Sequence, residues 1–395
     1  MFYLGIDIGK FVNAFCLLDS SNSEKDIFQL PNTKDGFLKL IERLNELVPE
    51  SKYVDLTVGM EATGHYFLNI YEFLLSCGIG SDNIALLNPL QVKSFRNSNL
   101  RGSKSDNVDA ERIATLLHFG DYNRCNVSTD ELMSLRELTR FRADLTANMG
   151  NLKRKIIAVV DRIFPEFGKV FSNKFGKTAM SLITDYPTPE EMAELSLDDL
   201  TKVIKKISKR GISKEKIESL HSSASNSIGI SFGKEAFKFE LDFLIEQLKM
   251  LQRQVDKLKT EINSIVSGFN SPIFTIPGIG ENTGPAILAE IGNISNFSSS
   301  AKIIAFAGLD PKLRESGNYQ GRTPISKRGS KYLRNAIWYS ALTAVRVEPS
   351  FKEAYQRRRD QGKSHRYAIT ASANKLTKVI YHILKNNCSF DPELV

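Results

Sequence analysis

Gly5-Ile6-Asp7-Ile8-Gly9-Lys10 is the stretch that decides the fold of the amino-terminal part of this 395-residue chain. Apolar residues alternate with other residues up to Ile6, as on a half-buried strand, and Gly9-Lys10 marks a turn. A second apolar run covers residues 12–18. The pattern therefore predicts a β-hairpin whose first strand carries an acid, Asp7.

Helical and strand patterns alternate after this hairpin. Helical spacing covers residues 35–48, 66–75 and 106–118, and short apolar runs typical of strands cover 54–60 and 84–87. A hairpin followed by alternating strands and helices favours a mixed α/β sheet. We therefore predict a first, α/β domain at residues 1–125.

Residues 126–268 have a mainly helical pattern. Their clearest feature is an apolar seam at heptad spacing, formed by Leu241, Leu244, Leu248, Leu251, Val255, Leu258, Ile262 and Ile265. Such a seam packs against another helix, either the one predicted at residues 132–157 or one from a second subunit. We therefore predict a helical, coiled-coil region for oligomerisation, in which residues 166–235 suggest no chemistry.

The third region, residues 269–395, is mainly helical and strongly basic. Residues 301–395 hold 18 Lys and Arg against 7 Asp and Glu, whereas the whole chain has a net charge of +8. Cations clustered in one region favour binding to a nucleic-acid backbone, because they displace its condensed counterions; a solvated surface is the alternative.

Other function classes are disfavoured by composition. No apolar run approaches the length that spans a bilayer, and the first residues lack the pattern of a signal peptide. The four cysteines lie far apart without CxxC spacing, which fits neither a zinc site nor a disulfide framework and favours a reducing cytoplasm. We expect no membrane partner.

Four acids of the first domain are candidate metal ligands: Asp7, Glu61, Asp106 and Asp109. Asp7 and Glu61 adjoin apolar strands, and Asp106 and Asp109 share one face at a helix start. An acid among apolar strand residues is costly unless a cation compensates its charge, and oxygen ligands suit Mg²⁺ or Mn²⁺. Each acid alone could equally cap a turn or a helix.

Two further constellations lie in the third region. Pro277-Gly278-Ile279-Gly280 precedes a helix start and could present backbone N–H groups to a phosphate, although an ordinary turn with a helix cap is the alternative. The other is a basic, glycine-containing loop in which Ser316 could be an exposed nucleophile or an ordinary loop serine. The candidate nucleic-acid-binding residues are Gly278, Gly280, Arg322, Lys327, Arg328, Lys331 and Arg334.

The order of the acids resembles that in the RNase H-like (RuvC-like) fold of the Holliday-junction resolvases. Asp-x-Gly on a first strand also resembles the phosphate motif of actin-like sugar kinases, but the second Asp-x-Gly strand and Gly-rich adenosine loop of those enzymes are missing from the sequence. The acids together with the Pro277–Gly280, Ser316-Gly317 and Ile325–Arg334 motifs resemble the DEDD transposases of bacterial insertion sequences, along the whole chain.

This resemblance implies a mechanism and partners. The four acids would hold Mg²⁺ at the scissile phosphate, and Ser316 would attack it to form a covalent protein–DNA link. Members of the family are directed by a structured RNA from the element and act on donor and target DNA as dimers or tetramers, so a bacterial, nucleoid-associated enzyme is expected. The alternatives are a metal-dependent DNA junction nuclease without a covalent intermediate and an inactive nucleic-acid-binding protein.

Overall fold

The computed structural model describes residues 1–20, 25–48, 50–61, 66–87, 92, 105–120, 122, 124–125, 130–208, 212–312, 315–316, 319–320 and 324–394. The chain forms two compact units: residues 1–129 with 293–298, and residues 130–292 with 299–395. The predicted middle and carboxy-terminal regions thus share one unit. The three-way division of the sequence stays a prediction.

The first unit is built on a six-stranded mixed sheet. Its strands are β1 (Phe2–Asp7), β2 (Val12–Asp19), β3 (Lys25–Pro31), β4 (Leu56–Glu61), β5 (Ile84–Leu87) and β6 (Arg124–Cys125), in the order β3-β2-β1-β4-β5-β6. The first three strands form an antiparallel meander, β4 and β5 continue it in parallel, and β6 is antiparallel. The predicted hairpin and mixed α/β sheet are confirmed.

Helices cover both faces of this sheet. They are α1 (Lys34–Leu47), α2 (Tyr66–Ser76) and α3 (Asp106–Phe119). Leu4 and Ile6 face the core shared with α1 and α2, whereas Cys16 and Leu18 face Ala110 and its neighbours on α3. Edge strand β3 was not predicted from the sequence, because no strong apolar run marks it. In the structure its residues are alternately exposed and partly buried, so the strand needs no such run.

The second unit is helical. Its helices are α4 (Asp130–Ile163), α5 (Phe167–Val170), α6 (Lys177–Asp185), α7 (Pro189–Ala193), α8 (Leu197–Ile207), α9 (Lys214–Ser225), α10 (Lys234–Ser267), α11 (Gly284–Ile291), α12 (Ser300–Ala307), α13 (Lys331–Val347), α14 (Pro349–Asp360) and α15 (His365–Asn386). A short ribbon of β7 (Glu315–Ser316) and β8 (Tyr319–Gln320) precedes α13.

The long helices α4 and α10 pair with each other, and they share a core with the short helices between them. Of the heptad seam, Leu241, Leu244, Leu248 and Ile262 are buried. The seam therefore has a partner within the chain, as the first of its two sequence interpretations requires. Polar residues 166–235 form the small helices α5 to α9 that close one end of this core.

Candidate active site and nucleic-acid interface

Two of the predicted catalytic acids end neighbouring strands of the sheet. β1 and β4 are parallel, with Ile6 opposite Met60, so Asp7 and Glu61 take the next position on each strand. Side chains alternate between the two faces of a strand. Because Ile6 faces the α1–α2 core, Asp7 faces the side that α3 covers. Both carboxylates therefore belong to one edge and one face of the sheet.

The start of α3 lies over the same edge. The Gln29 side-chain amide donates a hydrogen bond to Asn107 Oδ1 in the first turn of α3, at 2.7 Å. Gln29 pairs with Ala14, and Ala14 pairs with Asp7, so all three lie in one row across the sheet. The first turn of α3, which carries Asp106 and Asp109, therefore crosses the sheet at the row that contains Asp7.

A glycine makes this close crossing possible. A Cβ placed on Gly5 would lie 2.2 Å from the carbonyl oxygen of Ala110 and 2.4 Å from the amide nitrogen of Ala114. Only a residue without a side chain lets α3 pack so near to β1. Gly5 lies on the same face as Asp7, and Ala110 directly follows Asp109. The helix–sheet contact thus sets how near the acids of α3 lie to those of the sheet.

The two acids of α3 differ in their surroundings. Asp106 is exposed, whereas Asp109 is buried and accepts a hydrogen bond from the Arg112 guanidinium at 2.9 Å. Arg112 is itself 9% exposed. Sequence analysis missed Arg112, although its position three residues after Asp109 on a helix indicates such a pair. This cation offsets part of the acid charge at the edge of the sheet.

The side chains at this edge offer oxygen donors, which fit a hard divalent cation. Among the residues that the structure describes, no three His, Cys, Asp or Glu side chains are close enough together to form a metal site. The fold thus brings four acids to one edge of the sheet, but no three of their carboxylates are close enough together to bind one metal ion.

Ser316 ends the first strand of the β7–β8 ribbon, where its backbone pairs with Tyr319. The base of this ribbon is closed by a bridge between Pro311 and Ile325 and by a hydrogen bond from the Lys312 amide to the Pro324 carbonyl. Ser316 therefore lies at the tip of a β-ribbon. Arg322, a predicted nucleic-acid contact, lies outside the described residues.

Two other serines of the same region, Ser326 and Ser330, have structural roles. Ser326 Oγ donates to Asp310 Oδ1 at 2.5 Å and accepts from the Arg328 amide at 3.3 Å. Ser330 Oγ caps α13 by accepting from the Leu333 amide, and it donates to a buried carboxylate, Glu290 Oε2, at 2.7 Å. Ser326 thus serves a loop hydrogen bond, and Ser330 serves as a helix cap.

The predicted phosphate-binding turn precedes α11 as expected, and Thr283 and Gly284 begin the helix. Gly278 has a φ of +91°, and a Cβ there would lie 2.5 Å from the Ser340 carbonyl oxygen. Gly278 thus serves the packing of this turn against α13. A Cβ on Gly280 would meet no atom within 4 Å, so Gly280 is the glycine that an approaching backbone could reach.

The predicted nucleic-acid contacts Lys327, Arg328, Lys331 and Arg334, at the start of α13, differ in their surroundings. Lys327 and Arg328 are exposed. The Lys331 ammonium lies 3.7 Å from the carboxylate of Asp144. The Arg334 guanidinium donates to the Ala307 carbonyl at 2.7 Å, and burial lowers its pKa. Arg334 therefore supports the fold, while the other three cations point to a surface.

Comparison with known proteins identifies the chain. Residues 4–165 match a family of transposases, the IS110-type DEDD transposases, and residues 270–356 match the transposase IS116/IS110/IS902 family. A 42 kDa protein of insertion element IS900 from Mycobacterium paratuberculosis is 23% identical and spans 99% of this chain and 97% of its own. The chain belongs to the IS110/IS116 family of insertion-sequence transposases.

Other relatives of this transposase are named for reactions that rearrange DNA. The transposase for insertion sequence element IS1111A from Coxiella burnetii is 23% identical over 91% of this chain and 87% of its own. A pilin gene-inverting protein from Moraxella bovis is 32% identical over 31% of this chain and 39% of its own. The transposase is thus an enzyme of DNA recombination. No helix among its described residues is long and apolar enough to cross a membrane.

Proposed function

We propose that this transposase cleaves, exchanges and rejoins DNA strands through a covalent link between Ser316 and a DNA phosphate, with the acids Asp7, Glu61, Asp106 and Asp109 holding Mg²⁺ or Mn²⁺. Its membership of a transposase family carries the proposal. The placement of all four acids at one edge of the sheet supports it. An RNase H-like fold of the first unit is part of the proposal, and the strand order β3-β2-β1-β4-β5 supports it.

The serine step is a balanced transesterification. Ser316 Oγ forms a bond to phosphorus, the bond from phosphorus to one deoxyribose oxygen breaks, and that oxygen leaves as a hydroxyl. The serine proton passes to a carboxylate acting as general base, and the resulting carboxyl group donates it to the leaving oxygen. A hydroxyl of the exchanged strand then attacks the serine phosphodiester and releases Ser316. One phosphodiester replaces another at each step, so no external energy source is needed.

The acids would act as ligands. A bound divalent cation supplies charge stabilisation for the phosphate under attack and for the leaving oxygen. Asp7 and Glu61 would present oxygens from the sheet, and Asp106 and Asp109 would present them from α3. Arg112 would orient the Asp109 carboxylate through its hydrogen bond.

Trapping the reaction on labelled DNA tests the serine. Wild-type protein should give a protein–DNA adduct that maps to the peptide containing Ser316, and Ser316→Ala should give none. Ser326→Ala is the matched control, because its hydroxyl already bonds to Asp310, and it should still form the adduct. Strand cleavage by wild type without any adduct would favour the alternative, a metal-dependent junction nuclease.

Metal removal tests the acids. EDTA should abolish strand cleavage, and added Mg²⁺ or Mn²⁺ should restore it. Asp7→Asn and Glu61→Gln keep the size of each side chain and should lose cleavage without loss of the folded state in circular dichroism. Full activity of either variant, or of wild type in EDTA, would remove the metal from the proposal.

We propose two further partners, a structured guide RNA and further copies of the chain. The resemblance to the DEDD transposases, whose members are directed by a structured RNA, supports the guide RNA. Sequencing of RNA that copurifies with the protein tests it.

Phe239, Phe243 and Met250 support a dimer or tetramer, because these apolar side chains are about half or more exposed on α10. Light scattering of the Phe239→Glu, Phe243→Glu double variant should show smaller assemblies than wild type.

A further inference from the structure

The helical hairpin of α14 and α15 holds most of the positive charge of the basic carboxy-terminal part of the chain. Residues 346–385 contain ten Lys and Arg against three Asp and Glu. Only the first part of α14 falls within the matched family range, which ends at residue 356. None of these cations is among the nucleic-acid contacts predicted from the sequence.

Packing and hydrogen bonds hold the two helices of the hairpin together. Phe351 and Ala354 of α14 and Ala368 and Ile369 of α15 are buried. Ser364 caps α15 by accepting a hydrogen bond from the Tyr367 amide. A hydrogen bond of 2.8 Å between the hydroxyl of Tyr355 on α14 and Nδ1 of His365 on α15 ties the two helices together near their connecting turn.

Six cations lie on α14, on the connecting turn and on the first half of α15, and we name them the α14–α15 cation patch: Arg357, Arg358, Arg359, Lys363, Arg366 and Lys375. Arg357, Arg359, Lys363 and Arg366 are exposed, and the other two are half-buried. Tyr367, 55% exposed, lies beside the patch with the Lys363 ammonium 5.8 Å from its ring centroid. The patch is thus a set of mostly exposed cations with one exposed aromatic ring beside it.

These cations are not neutralised by acids of the described residues. None of the ten Lys and Arg in residues 346–385 forms a salt bridge with a carboxylate in that part of the chain. By contrast, Lys234 and Lys238 of α10 pair with Glu190 and Glu191. Burial, together with the nearby charges of Arg357 and Arg358, lowers the pKa of Lys375. Like charges held this near to one another gain from an anion brought against them.

We propose that the α14–α15 cation patch binds the phosphate backbone of duplex DNA. This inference rests on the proposed function, which makes DNA the substrate. Arg359, Lys363 and Arg366 are exposed on or next to the turn that joins the two helices, so their charged groups can reach the phosphates on the outside of a duplex. Arg binds phosphate through two parallel hydrogen bonds, which suits the exposed Arg357, Arg359 and Arg366. Backbone contacts of this kind position DNA without reading its sequence.

The salt dependence of DNA binding tests the patch in the full-length protein. The variant Arg359→Gln, Lys363→Gln, Arg366→Gln removes three exposed charges. Its matched control, Lys249→Gln, Arg253→Gln, Lys257→Gln, removes three exposed charges from α10. Anisotropy of a labelled duplex of arbitrary sequence is followed against KCl concentration for each protein, after circular dichroism and thermal melting establish equal folding.

Each lost phosphate contact should reduce the slope of log K against log salt by about 0.9 and weaken binding about 8-fold at 0.1 M salt. The patch variant should lose roughly two to three units of slope, and the control should match wild type. An unchanged slope in the patch variant, or an equal loss in the control, would overturn the proposal. A loss seen with duplex RNA and absent with duplex DNA would overturn it as well.

Failure of the patch and failure of the proposed function have different signatures. If the patch is wrong, the variant binds DNA as wild type does and still forms the Ser316 adduct. If the proposed function is wrong, wild type forms no adduct, while the patch variant still loses salt-dependent binding to the duplex. Adduct formation and anisotropy on the same proteins therefore separate the two.

Discussion

Glu290 of α11 is a buried carboxylate whose partners can be removed one at a time. It is 2% exposed, and Arg140 of α4 donates to both of its oxygens, at 2.6 and 3.0 Å. Ser330 Oγ also donates to it. Burial is the largest single effect on the Arg140 guanidinium and works against its charge, but the hydrogen bond to Glu290 and the nearby charges of Glu290 and Glu137 together outweigh it and raise the pKa of Arg140. This pair joins α11 to α4 next to the start of α13.

Arg140→Met should destabilise the second unit by about 3–5 kcal/mol, because it leaves a buried charge without its cation. Glu290→Leu should cost less, about 1–3 kcal/mol, because the Arg140 side chain is 37% exposed and can be hydrated when Glu290 is gone. The double variant should be more stable than Arg140→Met alone, since it restores an apolar contact without a buried charge.

Urea unfolding followed by tryptophan fluorescence measures these differences, because the single tryptophan, Trp338, lies on α13 in the same unit. The exposed pair Lys259–Glu281, with 42% and 66% exposed side chains, is the matched control. Lys259→Met should cost at most about 1 kcal/mol. If Arg140→Met lowers the free energy of unfolding no more than Lys259→Met does, Glu290 is not held as a buried charge in the folded unit.

Three further predictions concern the second unit. Gly278→Ala should cost roughly 1–3 kcal/mol, because its Cβ would overlap the backbone of α13 at a positive φ, whereas Gly280→Ala should stay within about 0.5 kcal/mol in the same urea titration. Leu248→Asp should lower the thermal midpoint strongly, since it buries a charge between α4 and α10, while Gln247→Asp at an exposed position of the same helix should not. A smaller assembly with an unchanged midpoint for Leu248→Asp would place the seam between subunits. Arg334→Gln should cost about 1–3 kcal/mol through its lost hydrogen bond to the end of α12, and a stable variant that only binds DNA more weakly would contradict that structural role.

The local elements were accessible from the sequence because each follows from a repeat of a few residues. The alternation up to Ile6 predicted β1, and the first turn of α3 was predicted from its spacing. The face of α13 formed by Leu333, Ile337, Ser340, Ala341 and Ala344 follows the 3.6-residue period of a helix, and all five residues are buried. The heptad spacing of α10 predicted a packed seam, and it did not choose between a partner helix in the chain and one from another subunit.

Tertiary structure decided what depends on distant residues meeting. It set Asp7 beside Glu61 at one edge of the sheet and placed the start of α3 across that edge, through a contact that only Gly5 permits. It also divided the basic residues, since Arg334 hydrogen-bonds within the fold while Arg359 stays exposed. Periodicity shows which face of an element is buried, because burial repeats with the backbone. Which other element covers that face depends on contacts between residues far apart in the sequence, such as Gly5 with Ala110, and no local pattern encodes them.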